Sequence, residues 1–234
     1  MNNETHKTMD IRELDWFYAE VIPQKGILKL SADETRHLKV KRHYENEKIA
    51  VFDGKGTVAV AKLVGKDEIQ IELVQKFQNE AFLTIATAVP KGERFDFLLQ
   101  KLTELNVATI VPIKTKYSVV LPKEAKIERS NRILIEACKQ SKRAWVPEII
   151  QLTDFSSVLK EKVDVKLILY QNGEKLKEIP KNKKVLVLVG PEGGFTEEEI
   201  KAAEKAGFVK ASVGRNVLRI ETAAIAAAAI IGQQ

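Results

Sequence analysis

One cysteine in 234 residues, Cys138, leaves no partner for an internal disulfide. A chain of this length with a single thiol fits a reducing compartment, so a cytoplasmic location is expected. Cys138 sits between apolar neighbours in a helical stretch, which points to packing rather than to a nucleophile. His6, His37 and His43, the only histidines, show no ligand spacing with other metal-binding side chains, and no metal is expected. No apolar run approaches the ~18 residues that a membrane helix needs. The first twenty residues carry acids and Trp16 but no apolar signal core, so no signal peptide is expected. Three nucleotide and hydrolase motifs are also missing: G-x-x-x-x-G-K-[ST], G-x-G-x-x-G after the first α/β strand, and G-x-S-x-G. Their absence argues against a P-loop nucleotidase, a dinucleotide-binding oxidoreductase and a serine hydrolase.

What is present is an ordinary globular composition, 44% hydrophobic and 30% charged, long enough for one large domain or two modest ones. The net charge of +6 is unevenly spread. Residues 1–75 hold 12 basic and 13 acidic side chains, which nearly cancel. Residues 114–146 hold nine basic ones (Lys114, Lys116, Lys123, Lys126, Arg129, Arg132, Lys139, Lys142, Arg143) against three acids (Glu124, Glu128, Glu136). That segment alone supplies a surplus of six, the electrostatic footprint expected for a polyanion such as RNA.

Taken in order, residues 1–10 are polar, and from Trp16 to Val74 the segments are short, β-branched and broken by turns. Strands are predicted at Gly26–Leu30, Lys48–Phe52, Thr57–Ala61 and Glu68–Val74, with Asp53-Gly54-Lys55-Gly56 as a hairpin turn. One helix, Asp33 to His43, is capped by Ser31 or Asp33. This reads as a small β-barrel-like domain over 1–75. The pattern changes near residues 74–80. Over 76–234, strands (82–89, 108–113, 165–170, 184–189, 209–213) alternate with helices (one with Phe95, Leu98, Leu102 and Leu105 on a face, then 127–140, 196–206 and 221–231). Such alternation implies α/β architecture, a mainly parallel sheet with helices on both faces. The alanine-rich run Ala223–Ala229 suits close approach of another backbone, in tight helix packing or at a subunit interface.

The chain is organised around Lys184-Val-Leu-Val-Leu-Val-Gly190-Pro191-Glu192-Gly193-Gly194-Phe195-Thr196-Glu-Glu-Glu199. The five apolar residues Val185–Val189 make a strand buried on both faces. Gly190-Pro191 stops it, Gly193 and Gly194 allow a sharp turn, and Thr196 with Glu199 forms a capping box that opens a helix. Gly207 is placed to end that helix. A second glycine turn, Gly214-Arg215-Asn216, follows the 209–213 strand and leads into Val217-Leu218-Arg219-Ile220-Glu221-Thr222. If both strands share a sheet, both turns rise at its carboxyl edge, where α/β sheets bind ligands. No lysine or Mg²⁺ ligand accompanies them, so a nucleoside-like molecule is expected rather than a triphosphate.

Leu188–Phe195 together with Val213–Ala223 resembles the signature pair of the ribosomal RNA small subunit methyltransferase E family. The resemblance continues through Arg94, Gln100-Lys101, Thr103-Glu104-Leu105 and Ile110-Val111-Pro112. It includes Thr115–Val119, Arg132, Glu136-Ala137, Gln140-Ser141, Arg143 and Pro147, and His37-Leu38, Val40, Arg42 and Phe52–Gly54 near the start. It departs from the family pattern at Tyr44-Glu45, Asn106, Tyr170-Gln171 and Asn216. The resemblance implies a PUA-like RNA-binding β-barrel followed by a SPOUT domain with a trefoil knot. It implies a homodimer that binds S-adenosylmethionine, yields S-adenosylhomocysteine, and methylates N3 of a uridine in 16S rRNA. The cofactor residues are then Gly190, Gly193, Gly194 and Gly214, with Val189, Val213 and Leu218 packing the adenine, and Leu169, Val217 and Thr222 beside them. Arg219 is the first choice for stabilising the uracil anion and Arg143 the next. Glu221 takes the proton or orients Arg219, or is simply an acid favoured by the helix dipole. Arg42, Lys91, Arg94, Lys116, Arg132 and Arg143 are the RNA-contacting candidates. A SPOUT enzyme acting on another RNA base, and a non-catalytic RNA-binding or ribosome-assembly protein, are the alternatives.

Overall fold

The structure, a computed structural model, describes residues 10–120, 125–177, 179 and 183–232. His6 and the polar start lie outside them, as do Lys123 and Glu124 of the basic segment. The chain divides into two compact units, Met1–Asn79 with Cys138–Trp145, and Glu80–Ala137 with Val146–Gln234.

The first unit opens with a turn of 3-10 helix at Ile11–Glu13. It continues through β1 (Trp16–Tyr18), β2 (Gly26–Lys29), α1 (Ala32–Val40), β3 (Lys48–Phe52), β4 (Thr57–Leu63) and β5 (Glu68–Lys76). The sheet order is β1-β3-β4-β5-β2, with β1 parallel to β3 and the other pairs antiparallel. Inward residues of alternating strands, among them Ile49, Val51, Ala59, Ala61, Ile69 and Ile71, close a core with Phe17 and with Leu38 of α1. Ser31 is the cap of α1, its Oγ accepting the Glu34 N–H at 3.2 Å. The three-residue β1 is too short to carry a period-2 signal, which is why the sequence pattern does not reveal it.

Residues 138–145 join this unit for reasons that are long-range in sequence. Lys139 and Glu34, both nearly fully buried, pair at 2.9 Å, and a buried charge is tolerated only when so paired. Trp145 Nε1 donates to the Phe77 carbonyl at 2.9 Å. Its ring lies against Gly56, where a Cβ would come within 2.6 Å of both the indole and the Phe77 carbonyl oxygen. Cys138 is fully buried, and burial pushes its thiol up to about 12, against the pull of the nearby Arg143 guanidinium.

The second unit runs β6 (Leu83–Thr87), α2 (Arg94–Glu104), β7 (Thr109–Lys114), α3 (Ala125–Ser141, its last turn in the first unit), β8 (Glu148–Ile149) and β9 (Thr153–Asp154). It then forms α4 (Phe155–Val158), β10 (Val165–Lys175), β11 (Val185–Val189), α5 (Glu197–Lys205), β12 (Val209–Ser212) and α6 (Ile220–Gly232). The strands lie in the order β12-β10-β11-β6-β7-β8, with β9 also on β7, and every pairing is parallel. Strand alternation divides the two faces. Val185, Val187 and Val189 pack with residues of α2 and α6, while Leu186 and Leu188 pack with Ile200 and Ala203 of α5. Phe95, Leu98 and Leu102 of α2 are buried, each contributing ~1.5–3 kcal/mol.

Ala224, Ala227 and Ala228 of α6 are fully buried, and a Cβ at Gly232 would lie 2.8 Å from the Leu105 carbonyl oxygen. The small residues thus serve close packing within this chain. β10 extends five residues beyond the expected Tyr170 and meets β12 twice. Leu169 and Glu174 are both in register with Ala211, with a register shift between them. At that crossing a Cβ on Gly173 would stand 2.8 Å from backbone atoms of Lys210 and Ala211.

Candidate functional site

Because β11, β10 and β12 are parallel neighbours, the loops that follow them rise at one edge of the sheet. They enclose a cleft of about 370 Å³. Gly190, Gly193 and Gly194 line one side and Val213, Gly214, Val217 and Leu218 the other, with Leu169 and Val189 between them. Backbone and aliphatic side chains dominate this wall, and among the described residues no lysine or arginine lines it. The volume is within the ~300–1,000 Å³ of small-molecule sites.

Local chemistry fixes the first loop. Gly194 N–H donates to the Pro191 carbonyl at 2.8 Å, and the turn carries φ +73° at Gly194, a left-handed value that suits glycine. Both arms of the capping box form: Glu199 N–H donates to Thr196 Oγ1 at 3.2 Å and Thr196 N–H to Glu199 Oε2 at 2.9 Å. The other Glu199 oxygen accepts the Lys116 N–H at 2.8 Å, which fastens the 115–118 turn to α5. Tyr117 is thereby laid over Gly193, where a Cβ would sit 3.3 Å from the tyrosine Cβ. Half of Tyr117 remains exposed.

A second, wider cavity of about 610 Å³ adjoins this cleft and shares Val217 and Leu218 with it. Arg219, Glu221 and Thr222 line it from α6 and the residue before that helix, Glu93, Arg94 and Phe97 from the start of α2. Thr222 therefore borders this cavity and not the glycine-lined cleft. Glu221 is 6% exposed. Its Oε1 lies 3.9 Å from Arg94 Nη1, and its Oε2 is buried with no hydrogen-bond partner among the described residues. The carboxylate thus faces Arg94, and among the described residues Arg219 makes no ion pair. Arg94 also reaches Glu192 of the glycine loop at 3.3 Å and donates from Nε to the Lys91 carbonyl at 3.3 Å. Arg94, a position suggested for RNA phosphate, thus bridges two acids.

The remaining sequence candidates are spread out. Lys91, Lys116 and Arg132 are exposed in the second unit, and Arg42, exposed with φ +58°, and Arg143 belong to the first. Burial lowers the Arg143 pKa. Arg143 lines neither the cleft nor the adjoining cavity. Sequence reasoning missed Glu192, Phe97 and Tyr117. Phe97 carried a signal, since it is an aromatic out of phase with the apolar stripe Phe95, Leu98 and Leu102. Glu192 and Tyr117 owe their positions to contacts with residues far away in the chain.

The chain is similar to known proteins. The RNA methyltransferase domain model matches residues 78–232, and the RNA methyltransferase PUA domain model matches residues 30–74. A parallel α/β unit with a carboxyl-edge cleft, joined to a PUA unit, defines the chain as an RNA methyltransferase. A ribosomal RNA small subunit methyltransferase E from Bacillus subtilis is 30% identical over 91% of this chain and 92% of its own. One from Aquifex aeolicus is 31% identical over 92% and 97%. The crystal structure of a ribosomal RNA small subunit methyltransferase E from Neisseria gonorrhoeae, bound to S-adenosyl methionine, superposes with a TM-score of 0.84. It is 33% identical over 92% of this chain and 95% of its own. The chain belongs to the ribosomal RNA small subunit methyltransferase E family.

Proposed function

We propose that this protein uses S-adenosylmethionine to methylate N3 of a uridine in the 16S RNA of the small ribosomal subunit. The observation that carries the reading is the pairing of a glycine-lined cleft with an adjoining cavity that holds a buried carboxylate and two guanidinium groups. The cleft fits the cofactor. Leu169, Val189, Val213 and Leu218 offer apolar walls to an adenine, and the loop backbones offer donors and acceptors to a ribose and an amino acid. When bound, the cofactor supplies an electrophilic methyl carbon next to sulfur.

The chain's own residues then have three tasks. The glycine loops position the donor, and alignment contributes most to an in-line displacement. Glu221 accepts the N3 proton, a role helped by the absence of a partner at Oε2 among the described residues. Arg219, free of ion pairs among the described residues, stabilises the charge that spreads to the uracil oxygens. Residues 1–75 act as the RNA-binding domain and 76–234 as the methyltransferase domain. Arg42, Lys91, Lys116, Arg132 and Arg143 contribute phosphate contacts, in the cytoplasm. Homodimer formation belongs to the same reading. The double register of Ala211 supports a chain threaded around β12, as a trefoil knot requires.

Mass mapping of small-subunit RNA from a strain lacking the gene, with and without its restoration, tests the reading. One uridine is expected to lose its methyl group and regain it on complementation. If no uridine changes, the substrate is wrong. If the pure protein also shows no heat with S-adenosylmethionine, the second reading, a non-catalytic RNA binder, takes its place.

A further inference from the structure

Phe97 has no part in the reading above, yet 46% of it is exposed on the wall of the cavity that holds Glu221. It lies on α2 in a stripe with Arg94 and Lys101, and the Lys101 ammonium stands 5.7 Å above its ring. An open aromatic face beside cations is the arrangement on which nucleic-acid bases stack. Besides Glu93 and Thr222, the same cavity is lined by two guanidinium groups, which only donate, and by the Glu221 carboxylate, which when ionised only accepts. A planar ligand that satisfies them has two acceptors and one donor. Uracil presents that set, with one ring N–H between two carbonyl oxygens. Cytosine puts an acceptor where uracil has that N–H.

The cavity also carries its own evidence of a missing partner. Glu221 is 6% exposed, and its buried Oε2 has none among the described residues. A buried acceptor left unmatched is costly, so such a group is ordinarily matched in the working complex. The first turns of two helices, α2 and α6, border the same space. Glu93, the cap residue of α2, makes no side-chain capping bond, and of the first-turn N–H groups that of Phe95 donates to the Gly92 carbonyl at 3.4 Å. Two helix N-termini favour negative charge, which suits a base that has lost its proton.

We infer that this cavity holds the target uracil, its face against Phe97 and its N–H and carbonyl edge read by Glu221 and Arg219. The inference rests on the methyltransferase reading and adds to it a stacking residue and a means of selecting the base. Arg94 is a positioning residue: held by Glu192 and by the Lys91 carbonyl, it sets the Glu221 carboxylate against the cavity.

The test uses the full-length protein and small subunits from the strain lacking the gene. Phe97→Ala and Phe97→Leu are expected to raise KM for subunits by about 5- to 150-fold, the range for losing one stacked base. Phe97→Tyr keeps a π-face and is expected to restore KM, and calorimetric affinity for S-adenosylmethionine stays constant in all three. A wild-type KM for Phe97→Ala overturns the inference while leaving the methyltransferase reading intact. So does a changed sedimentation coefficient, which would assign the ring to a contact between copies. Wild-type protein that neither binds the cofactor nor methylates subunits would defeat the underlying reading instead. Glu221→Gln replaces one carboxylate oxygen by an N–H donor. It is expected to narrow the preference for uridine over cytidine at the mapped position, in binding to an RNA fragment, by about 5- to 150-fold. An unchanged preference overturns the edge assignment.

Discussion

Gly173→Ala probes the crossing of β10 and β12 most directly. A Cβ there would lie 2.8 Å from the nitrogen and carbonyl carbon of Ala211 and from the carbonyl carbon of Lys210. Ordinary contact begins at 3.4 Å, so the two chain segments must separate by about 3.4 − 2.8 = 0.6 Å. The opposing atoms are all backbone, so no side-chain rotation relieves the clash, and withdrawal strains the pairings of Leu169 and Glu174 with Ala211. Overpacking of this kind costs ~1–3 kcal/mol. For a protein of this size each kcal/mol moves Tm by ~2–4 °C, so a fall of about 2–12 °C is expected by calorimetry. Because β12 leads directly into the Val213–Leu218 wall of the cleft, affinity for S-adenosylmethionine falls as well. Gly65→Ala is the control. Its Cβ would meet Glu68 at an ordinary 3.6 Å and φ there is not left-handed, so stability stays within ~0.5 kcal/mol. A Gly173→Ala protein that melts with the parent and binds the cofactor equally well would refute the argument.

Three further outcomes follow from the same geometry. Gly194→Ala places a Cβ on a residue at φ +73°, where space is open but the conformation costs ~1–2 kcal/mol. Cofactor affinity measured by calorimetry should fall, and Gly194→Asn should fall less, since asparagine tolerates this region. Thr196→Ala removes one cap and should cost ~1 kcal/mol in urea unfolding. Glu199→Ala releases the N–H groups of both Thr196 and Lys116, so it should cost more and also loosen Tyr117; equal costs would argue against the second bond. Cys138 keeps its proton to about 12 when folded but loses it near 9.0 when unfolded, so its contribution is constant below pH 9 and declines as pH rises from 9 to 12. By linkage the protein should lose about 1.4 kcal/mol between pH 8 and pH 10 that a Cys138→Ala variant does not lose, and parallel pH profiles would count against that burial.

Local signals carried much of this molecule. The unbroken apolar run before Gly190 read as a doubly covered parallel strand, because a strand covered on both faces has no polar phase. Thr196 and Glu199 specified the start of α5, since a capping box closes within four residues. The two glycine turns, set after successive strands, indicate the carboxyl-edge cleft that the structure holds. What depended on distant residues could not be read that way. Lys139 belongs to the first unit because it neutralises Glu34, over a hundred positions away. Tyr117 covers Gly193 because Glu199 holds Lys116, and Glu221 faces Arg94 rather than its near neighbour Arg219. Sequence therefore determined the strands, caps and turns, whose energies are spent between neighbours along the chain. Tertiary structure alone decided which charges meet and which aromatic faces stay open, because those depend on where packing leaves room and on which buried charge must be matched.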